Sequence, residues 1–146
     1  MMERLPTSIL CDERCHLGEG PTYDAATDTA WWFDILNGRL FEADLGSGQA
    51  HIHELGKMAS ALARIDAGRQ LIAAEDGLYI RSVADGSLVL YRPLEADSPG
   101  TRSNDARAHA SGTFWISMRR PSAAHWPIRP SPNCTICGRG MMPSPA

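Results

Sequence analysis

The sequence lacks any long apolar run. Its most apolar cluster is Ala30-Trp31-Trp32-Phe33, whereas a membrane-spanning helix needs about 18 or more consecutive apolar residues. The amino terminus also lacks the apolar segment of a secretory signal, because only Ile9-Leu10-Cys11 follows its charged residues. We therefore expect no membrane span and a cytoplasmic protein.

Acidic residues are missing from the last 28 positions. Residues 119–146 contain four arginines and no Asp or Glu, whereas residues 1–118 contain all 17 acidic residues and ten basic ones. Because nucleic-acid affinity is built largely from Lys and Arg that neutralise phosphates, the acidic body predicts no nucleic-acid partner. Six of the ten prolines also lie after Met118, and proline interrupts strands and helices. We predict one folded unit over residues 1–118 and an irregular, Pro/Arg-rich tail over residues 119–146.

The first 118 residues contain short strands joined by turn residues, and no segment has convincing helical spacing. Trp31, Phe33 and Ile35 alternate with Trp32, Asp34 and Leu36, and the Asn37-Gly38 pair that follows is typical of a two-residue hairpin turn with positive φ at both positions. Four consecutive strands are predicted, at residues 21–24, 31–36, 39–44 and 51–55.

This order of strands and turns repeats. Gly77 follows Gly38 by 39 residues and Gly86 follows Gly48 by 38, while a third copy begins at residues 105–109 and continues at 114–116. Four short strands repeated at this spacing are typical of β-propeller blades. We predict an all-β fold that is a partial β-propeller of about two and a half four-stranded blades, with a β-sandwich as the alternative. Such an arc leaves an unpaired edge and one uncovered sheet face.

Two cysteine pairs offer a zinc site as one hypothesis. The pairs are Cys11-x3-Cys15, followed by His16, and Cys134-x2-Cys137. Four thiolates at such spacings can hold zinc. More than two predicted blades separate the pairs, however, and the second lies in the proline-rich tail, which favours free thiols in a reducing compartment.

Polar residues at the start of two innermost strands indicate a ligand site. Glu19 stands between Gly18 and Gly20, just before the first predicted strand, where a carboxylate pointing into a central channel is an apt ligand for a hard divalent cation. Arg102 and Asn104 hold the equivalent place in the third copy, and their donors suit the hydroxyl and carbonyl groups of a polar ligand. The alternative for both clusters is an ordinary solvated or hydrogen-bonded turn.

Five ordered motifs carry a family resemblance over residues 9–117. They are Cys15-His16-Leu17-Gly18-Glu19-Gly20-Pro21-x-Tyr23-Asp24, Trp31-Trp32-x-Asp34-Ile35, Glu75-x-Gly77-Leu78, Arg102-Ser103-Asn104-Asp105 and Gly112-x-Phe114-Trp115. In this order they resemble the SMP-30/gluconolactonase/regucalcin-like family. The resemblance implies a six-bladed propeller that holds one divalent cation, which is calcium, zinc, manganese or magnesium, and hydrolyses sugar lactones to aldonic acids.

The resemblance also implies roles for individual residues. Glu19 matches a metal ligand of the family, and Arg102 and Asn104 match residues that bind the substrate. The family's other metal ligands, an Asn and an Asp that is also the proposed base, come from later blades, so no catalytic base is expected here. Because the resemblance ends near Met118, we expect a truncated or frameshifted member with little or no activity. The alternative is a non-catalytic propeller fragment that binds a partner or self-associates through its open edge.

Overall fold

The computed structural model describes residues 7–98 and 100–119, together with the backbone of Cys134–Cys137. The regular elements of these residues are all strands, and none of them forms a helix of the length and apolarity that crossing a membrane requires. The strands are β1 Gly18–Asp24, β2 Thr29–Asp34, β3 Arg39–Asp44, β4 Gln49–Glu54, β5 Ala59–Arg64, β6 Arg69–Ala74, β7 Gly77–Ser82, β8 Leu88–Pro93, β9 Arg102–Ala108, β10 Phe114–Arg119 and β11 Cys134–Cys137. The predicted all-β fold is confirmed.

The strands form three antiparallel sheets. The first sheet has the order β1-β2-β3-β4, the second β5-β6-β7-β8 and the third β9-β10-β11. The strand predicted at residues 39–44 coincides with β3, whereas the one predicted at residues 51–55 begins two residues earlier, at Gln49, and ends at Glu54. The described strands do not close into a barrel.

The turn predicted between β2 and β3 is wrong in its length. Asp34 pairs with Arg39, so four residues rather than two connect the strands. Gly38 adopts φ +64°, but Asn37 is not among the residues with positive φ. The Asn37 amide instead donates a hydrogen bond of 2.7 Å to the Asp34 carboxylate, and the Gly38 amide donates to the Ile35 carbonyl at 3.2 Å. These two hydrogen bonds close a four-residue loop, which is longer than the two-residue turn that the Asn-Gly dipeptide alone predicts.

The second sheet lies between the other two. Its residues Leu62, Ile72 and Tyr79 form one apolar cluster with residues of the first sheet, and its Leu71 and Leu78 form another with residues of the third. The first-sheet members include Trp31, Phe33 and Leu40, and the third-sheet members are Ala106, Phe114 and Ile116. Because both faces of the second sheet are covered, its central strand β6 loses the alternation of a half-exposed strand.

The innermost strands of the three sheets approach one another. Strand β5 contacts β1 and β2, while β9 contacts β5, β6 and also β1. The outer strand β8 is mostly exposed, with Val89 at 66%. Sheets that converge along their first strands and diverge toward their last ones have the arrangement of propeller blades, and a sandwich of two facing sheets does not describe them.

The predicted irregular tail is only partly described. Within residues 119–146, Arg119 ends β10, and Cys134–Cys137 form β11, which pairs with β10 over Phe114 to Ser117. These four residues are therefore a strand, because β10 offers them an edge to which the backbone hydrogen-bonds. The rest of the tail lies outside the described residues.

Candidate functional site

Each of the three innermost strands carries a β-bulge near its start. The register shifts between Glu19 and Thr22 in β1, at Ser60 in β5 and at Asn104 in β9. A bulge turns the local side chains away from their regular alternation, and bulges are common beside binding sites. The three bulges place Glu19, Ser60 and Asn104 at the same end of neighbouring strands.

Asp34 holds in place the chain segment that leads into Glu19. The Asp34 carboxylate is fully buried and accepts hydrogen bonds from the backbone amides of His16, at 2.9 Å, and Leu17, at 3.0 Å. Burial acts to raise the pKa of Asp34, but the bonds from Leu17 and His16 outweigh it, so the pKa is lowered and the group stays ionised. The Ile35 amide completes the anchor by donating to the Leu17 carbonyl at 3.0 Å. Glu19, two residues further on, is exposed at the end of this anchored segment.

Gly20 lets the first and second sheets approach closely beside Glu19. Its φ is +63°, and a Cβ at this position would overlap the carbonyl oxygen of Ser60 and lie 3.3 Å from a ring carbon of Phe33. A side chain is thus excluded both by backbone conformation and by lack of space. The Gly-Glu-Gly motif therefore has a structural reason as well as a chemical one.

Arg102 is buried where β9 begins, with 6% of its surface exposed. Its Nη1 donates to the Ser103 carbonyl at 2.9 Å, which fixes the guanidinium. Burial lowers the pKa of Arg102, Arg119 lowers it further, and Glu19 acts in the opposite direction. Glu19 and Arg102 are thus close enough to interact electrostatically across the inner strands. Asn104, at the bulge, is exposed.

A buried serine pair joins the second and third sheets beneath these residues. The Ser60 hydroxyl donates to Ser103 Oγ at 2.7 Å, and Ser103 Oγ donates to the Ala73 carbonyl at 3.1 Å. Both serines have at most 1% of their surface exposed. We did not predict this pair, because nothing in the sequence shows that residues 43 positions apart share a buried site.

The residues described do not by themselves form a cation site. No three His, Cys, Asp or Glu side chains come together anywhere in the described part of the chain. Glu19 therefore offers a single carboxylate, whereas a hard divalent cation such as calcium takes about six to eight oxygen ligands. The predicted residues Glu19, Arg102 and Asn104 lie near the starts of the inner strands β1 and β9.

The zinc hypothesis does not fit the position of the cysteines. Cys15 lies against Trp32, on the side of the first sheet that faces away from the second, whereas Cys134–Cys137 belong to the third sheet. The second sheet stands between them. Burial also raises the pKa of the Cys15 thiol, with Asp34 adding to the effect, which disfavours the thiolate that binds metal.

The Glu75-x-Gly77-Leu78 motif has a structural role. The Glu75 carboxylate accepts from the Met58 amide at 3.2 Å, and the Glu75 amide donates to the Met58 carbonyl at 2.8 Å. A Cβ on Gly77 would lie 2.7 Å from the Arg92 carbonyl oxygen. This motif holds the connection between β4 and β5 against the second sheet.

Comparisons with known proteins agree with this arrangement. A protein of Rhizobium meliloti (strain 1021) named as a sugar lactone lactonase is 45% identical over 128 residues, which are 86% of this chain and 43% of that protein. The crystal structure of a calcium-binding regucalcin from Agrobacterium tumefaciens matches with 50% identity and a TM-score of 0.75, over 77% of this chain and 38% of that one. A gluconolactonase from Xanthomonas campestris, at 20% identity and a TM-score of 0.56 over 73% of this chain and 36% of that one, shows the shared fold alone.

The chain thus spans less than half the length of these relatives. The family model described as SMP-30/Gluconolactonase/LRE-like region matches residues 17–126. That range contains the bulged ends of β1, β5 and β9, and it extends past Met118. The chain belongs to the SMP-30/gluconolactonase/LRE-like family.

Proposed function

We propose that this chain is the amino-terminal part of a metal-dependent hydrolase that opens sugar lactones to aldonic acids. The observation that carries the proposal is that Glu19 and Arg102 lie near the bulged starts of β1 and β9, two inner strands that contact each other. The identity to a relative named as a sugar lactone lactonase supports the substrate class. We also propose a cytoplasmic location, because the free thiols of Cys11 and Cys15 suit a reducing compartment.

The proposal extends to the architecture. Three sheets that converge on their first strands are fewer than the four to eight blades typical of a closed propeller. We propose that they are the first blades of a six-bladed ring in the longer relatives. A divalent cation, which is calcium, zinc, manganese or magnesium, would take Glu19 as one ligand and the rest from blades beyond this chain.

Arg102 and Asn104 supply recognition. The Arg102 guanidinium has donors in a fixed fork, and its bond to the Ser103 carbonyl sets its direction. Such donors suit the ring and carbonyl oxygens of a lactone, and the exposed Asn104 amide suits a sugar hydroxyl because it both donates and accepts. These two residues would bind and orient the substrate, and no described residue is assigned as the base that activates water.

The chain alone is expected to show little or no turnover, because it supplies one carboxylate ligand and no assigned base. The alternative function is a non-catalytic propeller fragment that acts as a binding or self-associating module. The exposed outer strand β8 favours this alternative, because a free strand edge can pair with another chain.

The test compares the chain with a chimera. Residues 1–118 are joined to the segment of the Rhizobium meliloti relative that continues from the equivalent position, and hydrolysis of glucono-1,5-lactone is followed in a pH-stat with each of the four cations. We expect cation-dependent turnover from the chimera and only the uncatalysed rate from the chain alone. Glu19→Ala in the chimera should reduce turnover at least a hundredfold.

The matched control is Glu54→Ala, which removes an exposed glutamate of the same sheet. This chimera should keep full turnover. A folded Glu19→Ala chimera with unchanged turnover would remove Glu19 from the mechanism. A folded, inactive parental chimera would contradict the lactonase proposal and favour the non-catalytic alternative.

A further inference from the structure

Ser60 lies on the inner strand that contacts both predicted parts of the candidate site. It is the extra residue of the β5 bulge, and β5 contacts both β1 and β9. Glu19 and Asn104, beside the bulges of β1 and β9, are exposed, whereas Ser60 is fully buried. A ligand that touches Glu19 or Asn104 therefore does not reach Ser60, and any role of Ser60 in ligand binding must act through its neighbours.

The backbone of Ser60 sets the position of β1 beside Glu19. The Ser60 carbonyl oxygen occupies the place that a Cβ on Gly20 would need, so the two backbones are in direct contact. Gly20 has φ +63° at this contact, a conformation that favours glycine. Because Glu19 directly precedes Gly20, the position of Ser60 determines how close the Glu19 backbone lies to β5.

The hydroxyl of Ser60 sets the position of β9 on the other side. It donates to Ser103 Oγ at 2.7 Å, and the Ser103 hydroxyl donates to the Ala73 carbonyl at 3.1 Å. A serine hydroxyl has one proton to donate, so Ser103 acts as the acceptor toward Ser60. Ser103 stands between Arg102 and Asn104, and its carbonyl accepts from Arg102 Nη1 at 2.9 Å. A shift of Ser103 would therefore displace both predicted substrate-binding residues.

We propose that Ser60 is a positioning residue that sets the spacing between Glu19 on β1 and Arg102 and Asn104 on β9. Its backbone contacts one strand and its hydroxyl bonds to the other, so one residue fixes both distances. Groups that bind one small ligand together lose much of their effect when they are misplaced by about 1 Å. This inference rests on the proposed function, in which these residues contact the cation and the lactone, and it adds the residue that holds them apart at a fixed distance.

Steady-state kinetics of the chimera with the Rhizobium meliloti relative test the role in substrate binding. Ser60→Ala should raise the KM for glucono-1,5-lactone about tenfold at saturating cation and change kcat by about twofold or less, because misplaced Arg102 and Asn104 bind the substrate less well. Ser103→Ala should also raise KM. The double variant should raise it by less than the product of the two single changes, because both substitutions break the same link.

Ile72→Val is the control for a loss of stability alone. Ile72 is fully buried between the first and second sheets, so this change leaves a small cavity while the serine pair stays intact. It should lower Tm and leave KM unchanged. Circular dichroism checks the fold, and Ser60→Cys, whose thiol is a weak donor, replaces Ser60→Ala if the latter does not fold. Equal KM values for the Ser60 variant and Ile72→Val would overturn the proposal.

Heteronuclear NMR of the full 146-residue chain tests the spacing without turnover. Ser60→Ala should shift the backbone amide signals of Glu19 and Gly20 on one side and those of Ser103 and Asn104 on the other. Shifts confined to one side would show that Ser60 does not couple β1 to β9, which would overturn the proposal. A folded, inactive parental chimera would instead contradict the lactonase proposal, and the NMR result alone would then decide the role of Ser60.

Discussion

The second and third sheets are built from the same repeat but have different surroundings. Strand β6 of the second sheet has five buried residues in a row, whereas β10, its counterpart in the third, alternates between buried and exposed positions around Trp115. Among the described residues, the second sheet has a sheet packed on each face, whereas the third has the second sheet packed on one face. Repeat proteins are stabilised mainly by the contacts between adjacent repeats. The interfaces of the second sheet are therefore where substitutions should cost most.

The largest effect is expected at the contact of β1 with β5. Gly20→Ala should destabilise the chain by about 3 to 5 kcal/mol, because the new Cβ meets strain from positive φ and an overlap with a backbone carbonyl. Gly48 has a similar φ of +71° and nothing within 4 Å of its would-be Cβ, so Gly48→Ala isolates the conformational cost. Urea unfolding measures the free energy of unfolding of both variants. Equal losses would show that the first and second sheets do not approach at Gly20.

The next effect concerns the interior of the second sheet. Ile72 is fully buried between the first and second sheets, and Ile72→Ala should cost about 2 to 5 kcal/mol from lost burial and a cavity. Val89 lies in the same sheet but is 66% exposed, so Val89→Ala should change stability by about 0.5 kcal/mol or less. Thermal unfolding compares the Tm of the two variants. Similar shifts in Tm for Ile72→Ala and Val89→Ala would contradict the position of β6 between two covering sheets.

A smaller effect is expected at the polar link between the second and third sheets. Ser103→Ala leaves the Ser60 hydroxyl and the Ala73 carbonyl without their partner, which should cost about 1 to 3 kcal/mol. The double variant with Ser60→Ala should lose less than the two single losses added together, because the hydroxyl that lost its partner is then also absent. A double-mutant cycle by urea unfolding provides the measurement. Strict additivity would mean that the two serines are not coupled.

The smallest effect is a change in pH dependence at the first sheet. Burial acts to raise the pKa of Asp34, but hydrogen bonds from Leu17 and His16 outweigh it and lower the pKa in the folded chain. The ionised carboxylate therefore stabilises the fold at pH values above the ordinary aspartate pKa of about 3.9. This contribution is lost as the pH falls through the pKa of the folded state. Asp34→Asn should therefore flatten the acid side of the stability profile. Urea midpoints from pH 7 down to pH 3 give both profiles, and parallel curves would refute this role.

The repeat could be read from the sequence because turn glycines mark it. Gly38 and Gly48 stand at the ends of tight connections and have positive φ. Because this conformation favours glycine, the turn positions can be recognised in the sequence by residue type. The sandwiched position of the second sheet follows from the predicted repeat and not from its own strands, because apolar strands such as Leu71 to Ala74 look alike whether one sheet or two cover them. The turn at Asn37 was misjudged for a related reason. The dipeptide suits a two-residue hairpin, but the Asp34 side chain, which a local pattern does not place, favours the wider loop.

Candidate residues for the site could be chosen from the sequence, but the residues that support them could not. Glu19, Arg102 and Asn104 were identified because charged and amide side chains beside glycine or before a strand are conspicuous. Asp34 stood within a quoted motif without an assigned role, and Ser60 gave no signal at all. A carboxylate that binds backbone amides and a hydroxyl that meets another strand depend on contacts between distant segments, which the order of residues alone does not reveal.

The three bulges have a consequence for how such a protein diversifies. The same local kink recurs in β1, β5 and β9, yet the residue beside it is an acid in the first, a buried hydroxyl in the second and an amide in the third. A repeated backbone thus offers several equivalent positions, of which those of Glu19 and Asn104 are exposed, whereas Ser60 is buried and bonded to Ser103 of the third sheet. Single substitutions at an exposed position beside a bulge can then change which ligand is bound, while the buried position continues to hold the sheets together.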